Sequence, residues 1–248
     1  MAPVYLITGG SRGIGAAVAR LAAEQGAAVC INYVANGAAA QAVVEDIKSR
    51  GGQAMACQGD MAVEADIERV FDACAAEFGP VTVLVNNAGV LDMEGNLADF
   101  SGERISRIID LNVTGALICA REAVRRMSTD KGGKGGSIIN ISSMAATLGS
   151  GGAYVDYAAS KGAIDALTIG LGREVARQGI RVNGIRPGII ETDIHASGGN
   201  PARAKDLADT VPMGRPGKPQ EVAEAVVWLA SDKASYITGS TINVSGGR

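Results

Sequence analysis

Apolar runs of strand length alternate with amphipathic segments of helix length along almost the whole chain, and this rhythm constrains the fold more than any motif. Strands are expected at Pro3 to Thr8, Ala28 to Tyr33, Gln53 to Gln58, Val81 to Asn86, Gly136 to Ser142, Ile180 to Arg186 and Ser240 to Val244. Between them, helices are expected at Gly13 to Gln25, Gly37 to Arg50, Glu64 to Phe78, about Ser101 to Met127, Tyr154 to Gln178 and about Gln220 to Ser231. Gly26, Gly51-Gly52 and Gly79-Pro80 stop the early helices. Strands apolar on both faces and separated by helices imply a parallel sheet covered on both sides. Right-handed crossovers then make an α/β, doubly wound, Rossmann-type sheet of about seven strands. No linker or repeat divides the 248 residues, so a single domain over 1–248 is expected.

The first strand runs into Thr8-Gly9-Gly10-Ser11-Arg12-Gly13-Ile14-Gly15, which opens the first helix. Gly9, Gly13 and Gly15 allow a tight turn, close approach of a pyrophosphate to the backbone, and close packing of helix on strand. The pyrophosphate would rest on the N–H groups and positive end of the helix, with Ser11, Arg12 and Ile14 in the same turn. A dinucleotide is the ligand this pattern calls for. Its type depends on charge near the adenosine ribose. An acid ending the second strand would bond the 2′-hydroxyl of NAD(H), but Ile31, Asn32 and Tyr33 stand there. Arg12 can meet a 2′-phosphate, which favours NADP(H) over NAD(H).

Tyr157 and Lys161 lie four residues apart in an expected helix, one turn apart on one face, with Ala158, Ala159 and Ser160 between them. Those small residues leave room for a bulky group against that face. A free tyrosine has a pKa of about 10, and an adjacent ammonium favours phenolate. The pair can therefore serve in proton transfer.

Composition narrows the alternatives. With 47% hydrophobic and 20% charged residues and a net charge of -3, the chain reads as a soluble globular protein without a basic nucleic-acid surface. No apolar run reaches the roughly 18 residues of a membrane span, and the N-terminus lacks the pattern of a signal peptide. A cytoplasmic location is expected, with neither nucleic acid nor membrane as partner. Cys30, Cys57, Cys74 and Cys119 show no metal spacing and no disulfide framework. His195 is the only histidine, expected in an exposed loop, so no metal is expected and a histidine-based triad would rest on that one residue.

As an ordered set, these motifs resemble the short-chain dehydrogenase/reductase family over the whole chain. The set is Thr8-Gly-x3-Gly-x-Gly15, Asp60 after the third strand, Asn86-Asn87-Ala88-Gly89 after the fourth, and Asn112 in the long helix. It continues with Ile141-Ser142-Ser143, Tyr157-x3-Lys161, Pro187-Gly188 with Thr192, and Gly239 to Gly247. The resemblance implies an oxidoreductase that interconverts a carbonyl and a secondary alcohol. Tyr157 would be the general acid in reduction and the base in oxidation. Lys161 would bind the nicotinamide ribose and depress the phenol pKa. Ser143 would donate to the substrate oxygen, and Asn112 would hold a water linking Lys161 to solvent. Asp60 and Met61 would flank adenine, with Asn32 and Tyr33 near the adenosine ribose. Asn87, Ala88, Gly89, Pro187 and Gly188 would line the cofactor, and Ile190 and Thr192 would meet its carboxamide end. Relatives are mostly tetramers, built through the two long helices and the C-terminal strand edge, so a homotetramer is expected.

Two departures from the family pattern bear on these roles. Ser143 and Tyr157 are fourteen residues apart, one more than in many members, with the extra residue in Leu148-Gly149-Ser150-Gly151-Gly152. Ser142 therefore competes with Ser143, which is preferred because the loop can turn it toward the site. Val244-Ser245-Gly246-Gly247 lacks the aspartate common before the glycine pair. In overall sequence the chain looks most like 3-oxoacyl-[acyl-carrier-protein] reductases, then glucose 1-dehydrogenase-like sugar dehydrogenases using NAD or NADP. A non-catalytic dinucleotide-binding module is the reading of another class, opposed by the intact Asn112, Ser143, Tyr157, Lys161 set. The stretch 189–217 carries His195, Arg203, Lys205 and Arg215 and is expected to form a substrate lid. Its basic side chains permit an acidic or phosphorylated substrate.

Overall fold

The computed structural model describes residues 2–194 and 198–248, so His195 lies outside the described residues. The strands β1 (Val4–Ile7), β2 (Ala28–Tyr33), β3 (Gln53–Gln58), β4 (Val83–Asn86), β5 (Gly136–Ile141), β6 (Ile180–Pro187) and β7 (Thr241–Val244) form one parallel sheet. Their order is β3-β2-β1-β4-β5-β6-β7. The helices are α1 (Gly13–Glu24), α2 (Gly37–Ser49), α3 (Glu64–Phe78), α4 (Gly102–Ile109), α5 (Ala116–Met127), the short α6 (Ala145–Leu148), α7 (Val155–Glu174) and α8 (Pro219–Ala230). A single helical turn, Arg203–Asp206, lies in the stretch between β6 and α8.

Side-chain alternation along each strand divides the interior into two cores. Tyr5 and Ile7 of β1 face α1, α2 and α8, together with Val29, Ile31, Val85 and Ile139. Val4 and Leu6 face α3 and α5 on the other side, with Cys30, Leu84, Ile138 and Val182. Leu6, Ile7, Ile31, Leu84, Ile138 and Ile139 are each fully buried; such a side chain contributes roughly 1.5–3 kcal/mol over leaving it exposed. All four cysteines are free and buried in this packing. Among the described residues, no helix is long and apolar enough to cross a membrane.

The strand order reverses between β1 and β4. Chains leaving these two neighbours turn to opposite faces and open a crevice at the carboxyl ends, where an open α/β sheet binds its ligand. Behind the crevice a polar chain crosses the core. The Asn86 amide donates to Asn140 Oδ1 and to the Ala116 carbonyl, both at 3.1 Å. Asn140 donates to Thr168 Oγ1 at 3.0 Å, and Thr168 donates to the Ile164 carbonyl at 2.8 Å. The members partner one another, so the chain ties β4, β5, α5 and α7 together without leaving these groups bare.

The helical region expected over Ser101 to Met127 is interrupted. Between α4 and α5 a π-helical turn spans Asp110–Gly115, and Asn112 within it is 1% exposed. Period-based reading cannot see this, because one wide turn leaves the apolar spacing on either side intact. The helix expected to reach Gln178 ends at Glu174, followed by a 3-10 turn, Ala176–Gln178, and a left-handed Gly179. Gly115 closes the wide turn where the chain passes directly over the Met61 carbonyl oxygen, with which a Cβ would collide. Gly115→Ala is therefore expected to lower unfolding stability by about 1–3 kcal/mol. Gly102→Ala, where a Cβ meets nothing, should stay within about 0.5 kcal/mol of the native chain. Urea denaturation of the two variants checks the difference.

Candidate active site

Thr8 joins the two strand ends that flank the crevice. Its hydroxyl donates to the Val85 carbonyl at 3.3 Å and accepts the N–H groups of Asn87 at 3.0 Å and Ala88 at 2.9 Å. The Asn87 amide returns the link, donating to the carbonyls of Thr8 at 2.8 Å and Gly9 at 3.0 Å. Asn32, 1% exposed, does the same from β2: its Oδ1 accepts from Gly9 N at 3.3 Å and its amide donates to the Gly59 carbonyl at 2.7 Å. The side chain expected near the ribose is therefore a brace inside the protein, and Tyr33 and the exposed Arg12 are left nearer the surface.

The glycine turn fits a pyrophosphate. Gly9 and Gly13 have φ of +63° and +53°, the left-handed region that favours glycine. A Cβ on Gly10 would press into Ile31 at 2.6 Å, and one on Gly15 would press into the Asn87 amide at 2.6 Å. No side chain caps α1, and its first turn holds no acid. Its leading N–H groups remain to meet an anion. Thr192 stands across this turn, its Cγ2 3.3 Å from where a Gly13 Cβ would lie. Ser11, Arg12, Thr192, Asp193 and Gln220 line one open cleft there. Ile190 is buried and pairs with Gly217 in an isolated bridge, while Gly188 donates to the Val244 carbonyl at 2.9 Å and the Pro187 carbonyl accepts from Met144 N at 3.0 Å. Asp60 Oδ1 accepts the Ala62 N–H at 2.9 Å, closing the loop after β3. Met61 departs from expectation: its side chain is 2% exposed and packs in the core with Sδ 3.8 Å from Cys119 Sγ. An apolar side chain gains more there than beside a solvent-facing base.

The catalytic candidates converge at the N-terminal end of α7. The Ser143 hydroxyl acts on the Tyr157 phenol, favouring its ionised form, and its Oγ accepts the Ala145 N–H at 3.1 Å. Ser142 is 2% exposed and donates instead to the Lys161 carbonyl at 3.2 Å. The structure thus puts Ser143, not Ser142, beside the phenol. Lys161 is 4% exposed; its ammonium donates to the Ile141 carbonyl at 2.8 Å and lies 5.6 Å from the Tyr157 ring centroid. Asn112 Oδ1 accepts from Val90 N, and its amide donates to the Val90 carbonyl, both at 2.8 Å, and to Ser160 Oγ at 3.1 Å. Ser160 in turn donates to the Tyr157 carbonyl at 2.7 Å. Gly89 crosses this cluster: a Cβ there would lie 3.3 Å from Asn112 Oδ1 and 3.4 Å from Lys161 Nζ.

The expected depression of the tyrosine by the lysine does not appear. Burial pushes Tyr157 up to about 12, opposed by the Ser143 hydroxyl. Burial brings Lys161 down to about 8, opposed by the charge of Asp165. The one-turn spacing brings the two side chains to one face, but the ammonium is anchored on a carbonyl over the ring rather than at the hydroxyl. At neutral pH the phenol holds its proton and the lysine is chiefly ammonium.

Sequence reasoning gave no role to the charges that fix α7. Asp156, an acid in the first turn of α7, accepts from Arg104 at 2.8 and 3.3 Å and from its neighbour Tyr157 N at 2.9 Å. Arg104 also donates to the Met93 carbonyl at 2.7 Å and lies 3.4 Å above the centre of the Phe100 ring. A further contact joins the loop after β4 to the stretch between β6 and α8. Glu94 accepts from the Tyr154 hydroxyl at 3.1 Å and pairs with Arg203, which lies 5.0 Å over the Tyr154 ring. Arg203 and Arg215, the latter paired with Glu221, are thus engaged within the protein. An acid in a helix's first turn was the available signal for Asp156.

Comparison with known proteins agrees with this geometry. A family model described as enoyl-(acyl carrier protein) reductase matches residues 9–248. The chain is 52% identical to YgfF, an uncharacterized oxidoreductase of Escherichia coli, over 99% of both proteins. A solved 3-ketoacyl-(acyl-carrier-protein) reductase from Brucella melitensis, complexed with NADH, superposes with a TM-score of 0.91 at 34% identity, covering 99% of this chain and 98% of that one. A blue fluorescent protein from a metagenomic library, solved with NADPH, gives 0.89 at 34% identity, covering 99% of this chain and 97% of that one. The chain belongs to the short-chain dehydrogenase/reductase family. It is an oxidoreductase with the Rossmann nucleotide-binding fold.

Because Thr8 accepts the Ala88 N–H and shares that of Asn87 with the Val85 carbonyl, Thr8→Val should strand the Ala88 N–H and cost about 1–3 kcal/mol of stability. Dinucleotide affinity should fall with it. Calorimetric titration of the folded variant with NADPH and NADH checks that loss.

Proposed function

We propose that the protein is an NADP(H)-dependent carbonyl reductase, converting a 3-oxoacyl compound or another ketone to a secondary alcohol, with Tyr157 as the general acid. The observation that carries this reading is the convergence of Ser143, the Tyr157 ring and the buried Lys161 ammonium at the N-terminal end of α7, with burial favouring the protonated phenol. A bound nicotinamide dinucleotide supplies the hydride to the carbonyl carbon. The chain's residues do the remainder. Ser143 Oγ donates to the carbonyl oxygen and orients it, and Tyr157 Oη hands its proton to that oxygen as negative charge develops. Lys161 Nζ holds the ribose and keeps positive charge beneath the phenol. Asn112, fixed by Val90 and Ser160, shapes the wide turn whose backbone would hold the water that returns a proton. Gly9, Gly13, Gly15 and the α1 N–H groups would cradle the pyrophosphate. Asp60, Asn87, Ala88, Gly89, Pro187, Gly188, Ile190 and Thr192 would line the remainder of the cofactor.

Arg12 supports the coenzyme preference. It is an exposed cation in the glycine turn, and β2 ends in Asn32 and Tyr33 without a carboxylate. The segment 189–217 is read as the lid, held against Glu94 and Tyr154 through Arg203. A cytoplasmic homotetramer belongs to the same proposal, with Trp228 and the fully exposed Tyr236 as aromatics that association would cover; a stable monomer in sedimentation would overturn that part.

NADPH oxidation against a panel of ketones, 3-oxoacyl thioesters and sugars tests the reaction. Tyr157→Phe should lower kcat by roughly 10²–10⁴ while dinucleotide binding is retained. An equally active variant would defeat the mechanism. Arg12→Gln should cut the ratio of catalytic efficiency with NADPH to that with NADH by roughly 10-fold or more, the scale of one charge-assisted hydrogen bond. An unchanged ratio would defeat the role given to Arg12.

A further inference from the structure

Asp165 lies one helical turn beyond Lys161 on α7, as Lys161 lies one turn beyond Tyr157, so the three side chains form a stripe along one face. Its carboxylate is nearly buried, with a side chain 13% exposed. Arg186 of β6 donates to Oδ2 at 2.9 Å and reaches Asn243 of β7 at 3.4 Å. The other oxygen, Oδ1, is buried and has no hydrogen-bond partner among the described residues. A buried carboxylate oxygen without a partner is costly. Lys161 presents the converse, an ammonium 4% exposed that donates to the neutral Ile141 carbonyl.

Among the groups around Lys161, the charge of Asp165 is the one that favours its ammonium form, acting without a direct ion pair among the described residues. The end of β5 offers the Ile141 carbonyl, and Ser143 beyond it offers a hydroxyl to Tyr157. The loop after β4 and the wide turn present Gly89 and the Asn112 amide. From α7 itself come Tyr157, protonated at neutral pH, and Asp165; Asp156 is bound to Arg104. From β6 comes Arg186, bound to Asp165.

We propose that Asp165, clamped by Arg186, is a positioning residue that holds Lys161 as an ammonium ion in the neutral to mildly alkaline range. The carboxylate touches neither substrate nor cofactor and acts through the lysine. Arg186 restrains the effect, since its own positive charge opposes protonation of Lys161. The two ends of the ion pair thus have opposite influence on the lysine, which a purely structural role would not produce.

Titration of the lysine Cε resonances in ¹³C-lysine-labelled protein tests this, with Lys161 assigned by its loss in Lys161→Met. Asp165→Asn should move the Lys161 midpoint down by roughly 0.5–1.5 pH units, the scale of one charge nearby at intermediate dielectric. Arg186→Gln should move it up, and Asp165→Glu should restore the native value. Midpoints unmoved in both variants, or moved in the same direction, would overturn the proposal. If Asp165→Asn does not fold, a Lys161 midpoint that fails to rise in Arg186→Gln is sufficient to overturn it. The catalytic consequence rests on the reductase reading: the alkaline limb of kcat/KM with NADPH and a ketone should shift in the same direction as each midpoint. A native protein that turns over no carbonyl would count against that reading, while the titration would still decide the role of Asp165.

Discussion

One hydroxyl holds the crevice open in a fixed shape. Thr8 Oγ1 takes two N–H groups from the chain leaving β4 and gives its proton to the end of that strand. At a switch point the chains leaving neighbouring strands diverge, so their backbone groups lose the ladder partners they would have had in mid-sheet. Side chains must supply what the sheet no longer does. Thr8, Asn87 and Asn32 do so, and between them they fix Gly9, Gly59 and Ala88 without help from a ligand. The glycine turn is thereby preorganised. Binding an anion at α1 need not order the loop first, and less of the interaction energy is lost to conformational entropy.

The sheet and its helices were legible because their determinants are local and periodic. Ala28–Tyr33, Gln53–Gln58 and Glu64–Phe78 occur with the bounds expected from apolar period and glycine stops. What the sequence hid is non-local. The π-helical turn at Asp110–Gly115 leaves no trace in spacing, and it depends on Gly115 passing over Met61, which lies far away in the chain. Asn32 and Met61 show the same limit. Each occupies a position beside the nucleotide crevice, but a one-dimensional position does not tell which way a side chain turns. Asn32 turns inward because Gly9 N–H and the Gly59 carbonyl need a partner, and Met61 because the core beside Cys119 accepts a flexible thioether.

The choice between Ser142 and Ser143 illustrates how alternation resolves what spacing leaves open. Consecutive residues leaving a strand point to opposite sides. Ser142 turns to the backbone of α7, where Lys161 O accepts its proton, and Ser143 turns to the phenol. The loop that follows turns outward after α6 and the left-handed Gly149, leaving Gly151 and Gly152 exposed. Ile141, the last residue of β5, contributes its carbonyl to Lys161. One strand end thus orients the serine, the tyrosine's neighbour and the lysine together.

The ionisation order of the pair bears on direction. Burial disfavours charge on both groups, raising the phenol to about 12 and lowering the ammonium to about 8. As pH rises the lysine therefore gives up its proton before the tyrosine does. A tyrosinate beside a neutral lysine has lost the positive charge that would stabilise it, so this arrangement does not create a ready base. It does preserve a ready acid: near neutral pH the phenol is protonated and the ammonium is in place beneath it. Proton donation to a carbonyl oxygen needs that combination of states, whereas proton abstraction from an alcohol needs the tyrosinate that burial opposes. The same burial opposes charge on both members of the Tyr157–Lys161 pair, and the proposed reduction would draw on the protonated state it favours, which the charge of Asp165 helps to maintain at the lysine.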